Sequence, residues 1–197
     1  MMPAENGLQN APKLLTARLI VRMADYRDAS EIARYYCENR AFLQPFEPAR
    51  PEAFFTEGFW RSQIEYNLIE FNHDHSLRLF VFEQTFPKTV IGVINFTQFS
   101  RDPFHACVLG YSLAEAKQRQ GYMFEALNAA IHSIFADFNF HRVMANYMPR
   151  NQRSGNLLRK LGFTVEGYAR DYLLINNRWE DHILTSLTNP DWIPDRP

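Results

Sequence analysis

The sequence predicts a single α/β domain, in which helices cover both faces of a mixed β-sheet. Strand-like and helix-like runs alternate along the chain without internal repeats, which is typical of layered sheet and helix folds. The 197 residues include 46% apolar and 15% aromatic side chains, enough for one buried core. Between residues 107 and 126 a strand, a turn and a helix follow one another directly. One folding unit accounts for all three observations.

The first predicted elements are a strand and a helix. Leu19, Val21 and Met23 recur with the period of two that a strand has. Asp28-Ala-Ser-Glu31 resembles a capping box, in which side chains satisfy the first N–H groups of a helix. We therefore expect a helix that begins there and runs through Tyr36.

A Pro- and Phe-rich segment, residues 44–75, comes next and has the character of a variable insertion. It contains a predicted helix over about 60–71. Two apolar runs follow, Leu77–Glu83 and Val90–Phe99, and they are expected to pair as strands over a turn that contains Pro87.

The second half begins with an apolar run, Cys107–Leu113, and a polar turn, Gln118–Gly121. The turn opens into a helix with Glu125 in its first turn, where a carboxylate interacts favourably with the helix dipole. Six apolar residues recur there at helical spacing and predict one buried face: Met123, Leu127, Ile131, Ile134, Phe135 and Phe138.

The last predicted elements complete the sheet. A strand over Arg142–Met148 precedes a helix over Asn151–Leu161, which Gly162 ends. The strands Tyr172–Ile175 and Arg178–Leu184 form a hairpin across Asn176-Asn177, since asparagine tolerates a positive φ.

The turn before the long helix has the features of an anion site. Backbone N–H groups at a helix N-terminus lack helical acceptors and point in one direction, which suits a pyrophosphate. The two common nucleotide-binding fingerprints, G-x-x-x-x-G-K-[ST] and G-x-G-x-x-G, are absent. The alternative is that Gly121 is an ordinary turn glycine before a packed helix.

Composition excludes several classes of protein. Twenty-one basic and 22 acidic side chains give no overall field for nucleic acid or a membrane surface. There is no apolar run of about 18 residues and no N-terminal signal, so a cytoplasmic protein is expected. Cys37 and Cys107 fit no zinc spacing and no disulfide framework, and no metal is expected. Cys107 is expected to be a small core residue.

Charges are unevenly distributed along the chain. Five basic and no acidic residues lie between Phe138 and Val165, whereas six acids lie in residues 44–75. They are either solvated faces or a basic surface for an anionic cofactor and an acidic entrance for a cationic substrate. The basic set is Arg142, Arg150, Arg153, Arg159 and Lys160, and the acidic set is Glu47, Glu52, Glu57, Glu65, Glu70 and Asp74.

Three motifs in fixed order carry a family resemblance: Gln118-Arg-Gln-Gly121, Asn151-Gln-Arg-Ser154, and Leu161-Gly-Phe163 followed by Gly167. With them the chain resembles the GCN5-related N-acetyltransferase (GNAT) family. The stretches HACVLGYS, HRVMANYMPRNQRSGNLL and EGYARDYLL, with NPDW, resemble one branch from about residue 16 to 190. Its members acetylate the N-terminal alanine of the fifth small-subunit ribosomal protein.

The resemblance implies acetyl-coenzyme A (acetyl-CoA) as donor. Two parallel strands would splay apart, here Cys107–Ser112 and Arg142–Met148, and the pantetheine would lie between them. Backbone N–H groups from Arg119 to Met123 would hold the pyrophosphate, and the backbone near Leu109 would polarise the acetyl carbonyl. The family usually has Gly or Ala where this chain has Met123. The implied cofactor-binding residues are Leu109, Tyr111, Gln118, Arg119, Gln120, Gly121, Tyr122, Met123, Asn151 and Ser154.

For the chemistry, the resemblance implies that Ser154 protonates or stabilises the leaving thiolate. Asn151 and Ser154 are also preferred helix N-cap residues, so a structural role is the alternative. A tyrosine often takes the thiolate role elsewhere in the family, and Tyr168 and Tyr172 are the reserves.

The general base is open, because Val108 stands where many relatives have glutamate. Glu166 is the preferred candidate, followed by His105 and Asp171. A cysteine acyl-enzyme is disfavoured, since Cys107 has no partner in sequence to make a thiolate.

The expected organisation is an N-terminal arm over 1–13, a GNAT domain over 14–190 and a tail over 191–197. The expected function is direct acetyl transfer from acetyl-CoA to the N-terminal amine of a ribosomal protein. The alternatives are acetylation of a small amine and a non-catalytic module that binds acetyl-CoA on the ribosome. The sequence leaves the oligomeric state open.

Overall fold

The computed structural model describes residues 11–194 and contains one eight-stranded mixed sheet with helices on both faces, as predicted. The strands are β1 Lys13–Leu15, β2 Leu19–Arg22, β3 Leu77–Glu83, β4 Phe86–Ser100, β5 Ala106–Leu113, β6 Arg142–Tyr147, β7 Thr164–Ile175 and β8 Arg178–Thr188. The helices are α1 Ala29–Glu38, α2 Arg40–Leu43, α3 Glu57–Asn72, α4 Tyr122–Ala136 and α5 Gln152–Lys160, with short 3-10 turns between them.

The strand order across the sheet is β1-β2-β3-β4-β5-β6-β8-β7. Strands β5 and β6 are parallel, and the other neighbouring pairs are antiparallel. The parallel pair therefore lies inside the sheet, with an antiparallel partner on each outer side. In the described part of the chain, no helix is both long and apolar enough to cross a membrane.

The sheet separates two hydrophobic cores. The first core lies under α4 and α5 and includes Leu127, Phe96 and Val143. The second lies under α1 and α3 and includes Trp60 and Val93. Neighbouring residues of one strand enter different cores because strand side chains alternate between the faces. The predicted apolar face of α4 is confirmed, since its apolar residues are buried in or packed on the first core.

Most predicted elements are confirmed, with longer β-strands at the C-terminus. The hairpin turn has φ +43° at Asn176 and +62° at Asn177, and Ile175 lies opposite Arg178. Gly162 has φ +91° directly after α5, as expected for a helix stop.

The predicted capping box at Asp28 and Glu31 is wrong. The box forms three residues earlier: Asp25 accepts from the Arg27 N–H group, and Asp28 accepts from the Asp25 N–H group. The Asp28 carboxylate is buried and also pairs with Arg22 at 2.6 Å, so it is directed away from α1. The N-cap residue of α1 makes no side-chain cap.

The predicted turn at Pro87 is also misplaced. Strand β3 passes into β4 through Gln84 and Thr85, and Pro87 already lies inside β4. It is exposed near the start of the strand, where a missing N–H group is tolerated.

The predicted N-terminal arm lies mostly outside the described residues, which begin at residue 11. Lys13, its last residue, pairs with Arg22 as the first residue of β1. In the predicted tail, Trp192 donates through Nε1 to the Asn139 carbonyl, and residues 195–197 lie outside the described range.

Candidate active site

The parallel strands β5 and β6 stay together over only three residue pairs, from Ala106 opposite Arg142 to Val108 opposite Met144. Beyond that point β5 keeps its pairing with β4 as far as Leu113, and β6 keeps its pairing with β8. The two edges that face each other therefore lose their strand partner halfway. Backbone groups on these edges need other hydrogen-bond partners.

A cavity of about 370 Å³ occupies this gap and is lined from both faces of the sheet. On the side of α4 and α5 it is lined by Tyr111, Met123 and Ser154. On the other side it is lined by Tyr36, which belongs to the second core, and by Glu47. The cavity thus passes through the sheet where the strands separate.

The turn before α4 presents free N–H groups. Arg119 has φ +62° and Gly121 has φ +79°. The first helical hydrogen bond runs from the Glu125 N–H group to the Gly121 carbonyl, so the preceding N–H groups have no helical acceptor. Gly121 is the N-cap residue and has no side chain to satisfy them. This arrangement favours an anion, because the helix dipole adds partial positive charge to the free N–H groups.

Arg18, directly before β2, holds this turn in place. Its Nη1 donates to the Gln120 carbonyl at 3.0 Å, and its Nε donates to Glu125 at 2.7 Å. Its guanidinium lies 4.3 Å from the centre of the Tyr122 ring. Gln118 holds the other end of the turn by donating to the Leu113 carbonyl at 2.9 Å. The backbone conformation of the turn is therefore held before any ligand arrives.

Met123 replaces the small residue of the family motif without filling the turn. Its side chain is buried in the first core. A Cβ atom on Gly92 of β4 would lie 3.2 Å from Met123 Cε and 2.9 Å from the Ser112 carbonyl oxygen. The missing side chain at Gly92 thus leaves the room that Met123 occupies.

Ser154 and Tyr111 are brought together across the gap. Ser154 Oγ lies 2.8 Å from the Tyr111 hydroxyl. Asn151 accepts from the Ser154 N–H group at 3.2 Å, so it caps α5 as its alternative role required. Burial raises the pKa of Tyr111 to about 12, although the hydrogen bond to Ser154 opposes this shift. The pair is therefore uncharged at neutral pH and can pass a proton.

The structure does not bring Glu166 to the cavity. Glu166 forms an ion pair with Arg142, the first residue of β6, at the end where β5 and β6 are still paired. The hydrogen bond from Arg142 lowers the pKa of this carboxyl. A carboxylate held in this way at the wrong end of the strand is a poor base for the cavity.

The other sequence candidates also lie elsewhere. His105, just before β5, packs against Trp192 with the ring centres 4.9 Å apart and the ring planes tilted by 53°. The Asp171 N–H group donates to Asp181, which also accepts from Tyr168. Tyr172 comes nearer, since its hydroxyl lies 3.2 Å from Nδ2 of Asn146, a cavity residue.

Two polar side chains that sequence reasoning missed, Asn95 and His182, line the cavity together with Glu47 of the predicted acidic set. His182 of β8 is 3% exposed, and its Nδ1 lies 3.0 Å from the Glu180 carbonyl. The Oδ1 atom of Asn95 is buried and has no hydrogen-bond partner among the described residues. Burial raises the pKa of Glu47, although Arg50 at 3.6 Å opposes this shift. In the sequence, Asn95 is marked only as a polar residue within an apolar run, and His182 carries no comparable signal.

Ion pairs neutralise part of each of the two predicted charge surfaces. Of the six acids, only Glu47 lines the cavity. Glu52 pairs with Arg40, and Asp74 pairs with Arg101, both at 2.5 Å. Among the basic set, Arg153 lines the cavity, whereas others form ion pairs. No group of three or more metal-ligating side chains occurs within residues 11–194.

Comparison with known proteins decides the family. Residues 18–164 match the family model described as an acetyltransferase (GNAT) domain. The chain belongs to the GNAT acetyltransferase family. The splayed strands and the glycine turn before α4 are the features that the resemblance in the sequence implied for GNAT members.

The matches to similar GNAT proteins cover nearly the whole chain. The [ribosomal protein uS5]-alanine N-acetyltransferase of Escherichia coli (strain K12) is 49% identical over 95% of this chain and 97% of its own length. The crystal structure of ribosomal-protein-S5-alanine acetyltransferase from Vibrio fischeri has a TM-score of 0.89 and 39% identity, and the match covers 93% of this chain and all of that one.

A second solved structure shares the fold at lower identity. Mycobacterium smegmatis RimJ in complex with CoA-disulfide has a TM-score of 0.82 and 23% identity, over 90% of this chain and 84% of that one. Structural neighbours of the chain thus include proteins solved with coenzyme A.

Proposed function

We propose that this chain is a cytoplasmic N-terminal protein acetyltransferase. It transfers the acetyl group of acetyl-CoA to the α-amino group of an N-terminal alanine, and the acceptor is the small-subunit ribosomal protein uS5. The observation that carries the proposal is the 49% identity to the E. coli enzyme over nearly the full length of both chains.

The residues present fit acetyl-CoA. Backbone N–H groups from Arg119 to Met123 would hold its pyrophosphate, since Gly121 offers no side chain that would block a phosphate oxygen. The free edges of β5, at Leu109 and Tyr111, would bond the pantetheine, and Asn151 would lie beside it. When bound, acetyl-CoA supplies an acetyl group activated as a thioester.

The chain's own groups support direct transfer. Ser154, hydrogen-bonded to Tyr111, would donate a proton towards the departing sulfur. Burial raises the pKa of Cys107 to about 12, which keeps it a thiol and leaves it unsuited to an acyl-enzyme.

An N-terminal amine also places a small demand on the enzyme. An α-amino group titrates near pH 7.7–8.0, so about a tenth of it is neutral at pH 7, against about one part in two thousand for lysine. A small polyamine acceptor is less well supported, because acids that could attract it are paired with arginines, as Glu52 is with Arg40.

The test uses purified enzyme, acetyl-CoA and a peptide with the N-terminal sequence of uS5, followed by thiol release and peptide mass. We expect one acetyl group on the free N-terminus. The same peptide with a blocked N-terminus, and spermidine, are the matched acceptors. Thiol release with spermidine alone would contradict the proposal, and binding of CoA without any thiol release would indicate a non-catalytic module.

A further inference from the structure

Two polar residues in the cavity, Asn95 and His182, each keep one acceptor atom unpaired within the described residues, and they lie on the face opposite to Ser154. Asn95 alternates in β4 with Ile94, which is buried in the first core, so Asn95 faces the other side of the sheet. His182 alternates with Ile183, which lies opposite Tyr147, a residue packed against the first core. Both polar side chains therefore line the face covered by α1 and α3.

The hydrogen bond of His182 fixes which nitrogen is free. Its Nδ1 lies 3.0 Å from the Glu180 carbonyl, and a carbonyl oxygen can only accept. Nδ1 therefore carries the proton, and Nε2 of the neutral ring keeps an unshared pair. Within the described residues Nε2 makes no hydrogen bond, and the ring, 3% exposed, lines the cavity.

Asn95 adds a second acceptor without a donor. Its Oδ1 is buried and has no partner in the described part of the chain, and the residue lines the cavity. A buried acceptor left unpaired is destabilising, so such a group is expected to meet a donor from a ligand. Two acceptors that need N–H donors on one face of a cavity are the complement of an amine.

Resting on the function proposed above, we infer that this face is the acceptor-amine site. His182 Nε2 takes a proton from the attacking nitrogen, and Asn95 Oδ1 accepts another of its N–H groups. Glu47 lies in the same cavity, but Arg50 at 3.6 Å shares its charge. Among the described residues no cation shares the His182 ring in this way, and His182 is the proton acceptor.

The step balances in atoms and charge. The neutral amine forms a bond from nitrogen to the acetyl carbon, and the bond from that carbon to sulfur breaks. His182 Nε2 receives the proton that nitrogen loses, while Ser154 supplies one towards the sulfur, which leaves with the electron pair. The two proton carriers stand on opposite faces of the sheet, with the gap between β5 and β6 between them.

The test separates a chemical from a structural role with the variant His182→Asn. Its side-chain amide can still donate to the Glu180 carbonyl but has no unshared nitrogen pair. With wild-type enzyme first shown to acetylate the uS5 peptide, kcat of this variant is expected to fall about 100-fold or more. CoA affinity measured by calorimetry should stay unchanged, and added imidazole should restore part of kcat.

The matched control is His105→Gln, a histidine at the far end of β5, which should keep wild-type kcat. A kcat within threefold of wild type in His182→Asn would overturn the inference. If that variant binds no CoA, the variant Asn95→Leu is the test instead.

In Asn95→Leu the KM for the peptide should rise about tenfold, as for one lost hydrogen bond, while the CoA affinity stays unchanged. A peptide KM within twofold of the wild-type value would overturn the inference. Failure of the wild type to acetylate the peptide would instead count against the proposed function.

Discussion

Replacing Gly121 by alanine tests the anion site with a calculable cost. At φ +79° a residue with a Cβ atom pays about 1–2 kcal/mol for the left-handed conformation. The added Cβ would meet only Arg18 Nη2, at 3.5 Å, which is ordinary contact. The folded protein should therefore lose about 2–8 °C in Tm, from about 2–4 °C per kcal/mol for a chain of this size, and no more.

Binding should suffer more than folding. The methyl group would stand where a phosphate oxygen approaches the N–H groups at the start of α4. One lost hydrogen bond to a charged group is worth about 1.5–3 kcal/mol, so the Kd for CoA should rise about 10- to 150-fold. Calorimetry with CoA measures this directly. Pantetheine, which lacks the diphosphate, should bind the variant and the wild type equally.

The chain offers a matched control. Gly162 has φ +91°, and its added Cβ would also meet one atom at 3.5 Å, on Leu187. Gly162→Ala should lose similar thermal stability and keep its CoA affinity, because it ends α5 away from the cavity. The reasoning fails if both variants lose CoA affinity alike, or if Gly121→Ala weakens pantetheine as much as CoA.

Three further substitutions test packing, charge and chemistry. A Cβ on Gly155 would lie 2.6 Å from the Tyr147 ring, so Gly155→Ala should lose about 1–3 kcal/mol in urea unfolding; Gly58→Ala, which meets open space, should not. Burial alone would raise the pKa of Glu125, but hydrogen bonds from its partners lower it. The stability that Glu125→Gln removes at pH 7 should therefore disappear as the pH falls below about 4, measured by unfolding across pH. Cys107→Ala should keep kcat within threefold in the thiol-release assay; a complete loss would restore an acyl-enzyme.

Local patterns predicted the elements well because their causes are local. The apolar period of α4, the asparagine pair at 176–177 and the glycine after α5 each act within a few residues. The capping box failed because Asp28 is drawn to Arg22, a partner on another element. The sequence around residue 28 carries no sign of that contact.

The side of the cavity that holds Ser154 was predictable from the sequence, and the side that holds Asn95 and His182 was not. The turn at Gly121 and the pair Asn151 and Ser154 are contiguous motifs, and the cavity includes Ser154 as the resemblance implied. Glu166 was chosen for its nearness in sequence to the last motif, but the sheet carries it to the wrong end of β6. Asn95 lies on β4 and His182 on β8, which are far apart in the sequence. The strand order of the sheet places them on either side of β5 and β6, so both line the same cavity.

The early end of pairing between β5 and β6 has a thermodynamic consequence. A ligand that bonds both free edges becomes, in effect, an extra strand, so its concentration enters the folding equilibrium. At 100 times its Kd it would add about 2.7 kcal/mol to stability. In the ligand-free enzyme, the amide hydrogens on the unpaired edges of β5 and β6 should exchange faster than those elsewhere in the sheet. Their exchange should also slow the most when the ligand saturates the enzyme. The product CoA has the same backbone contacts available as acetyl-CoA. Its release therefore requires its hydrogen bonds to the edges of β5 and β6 to break in every turnover.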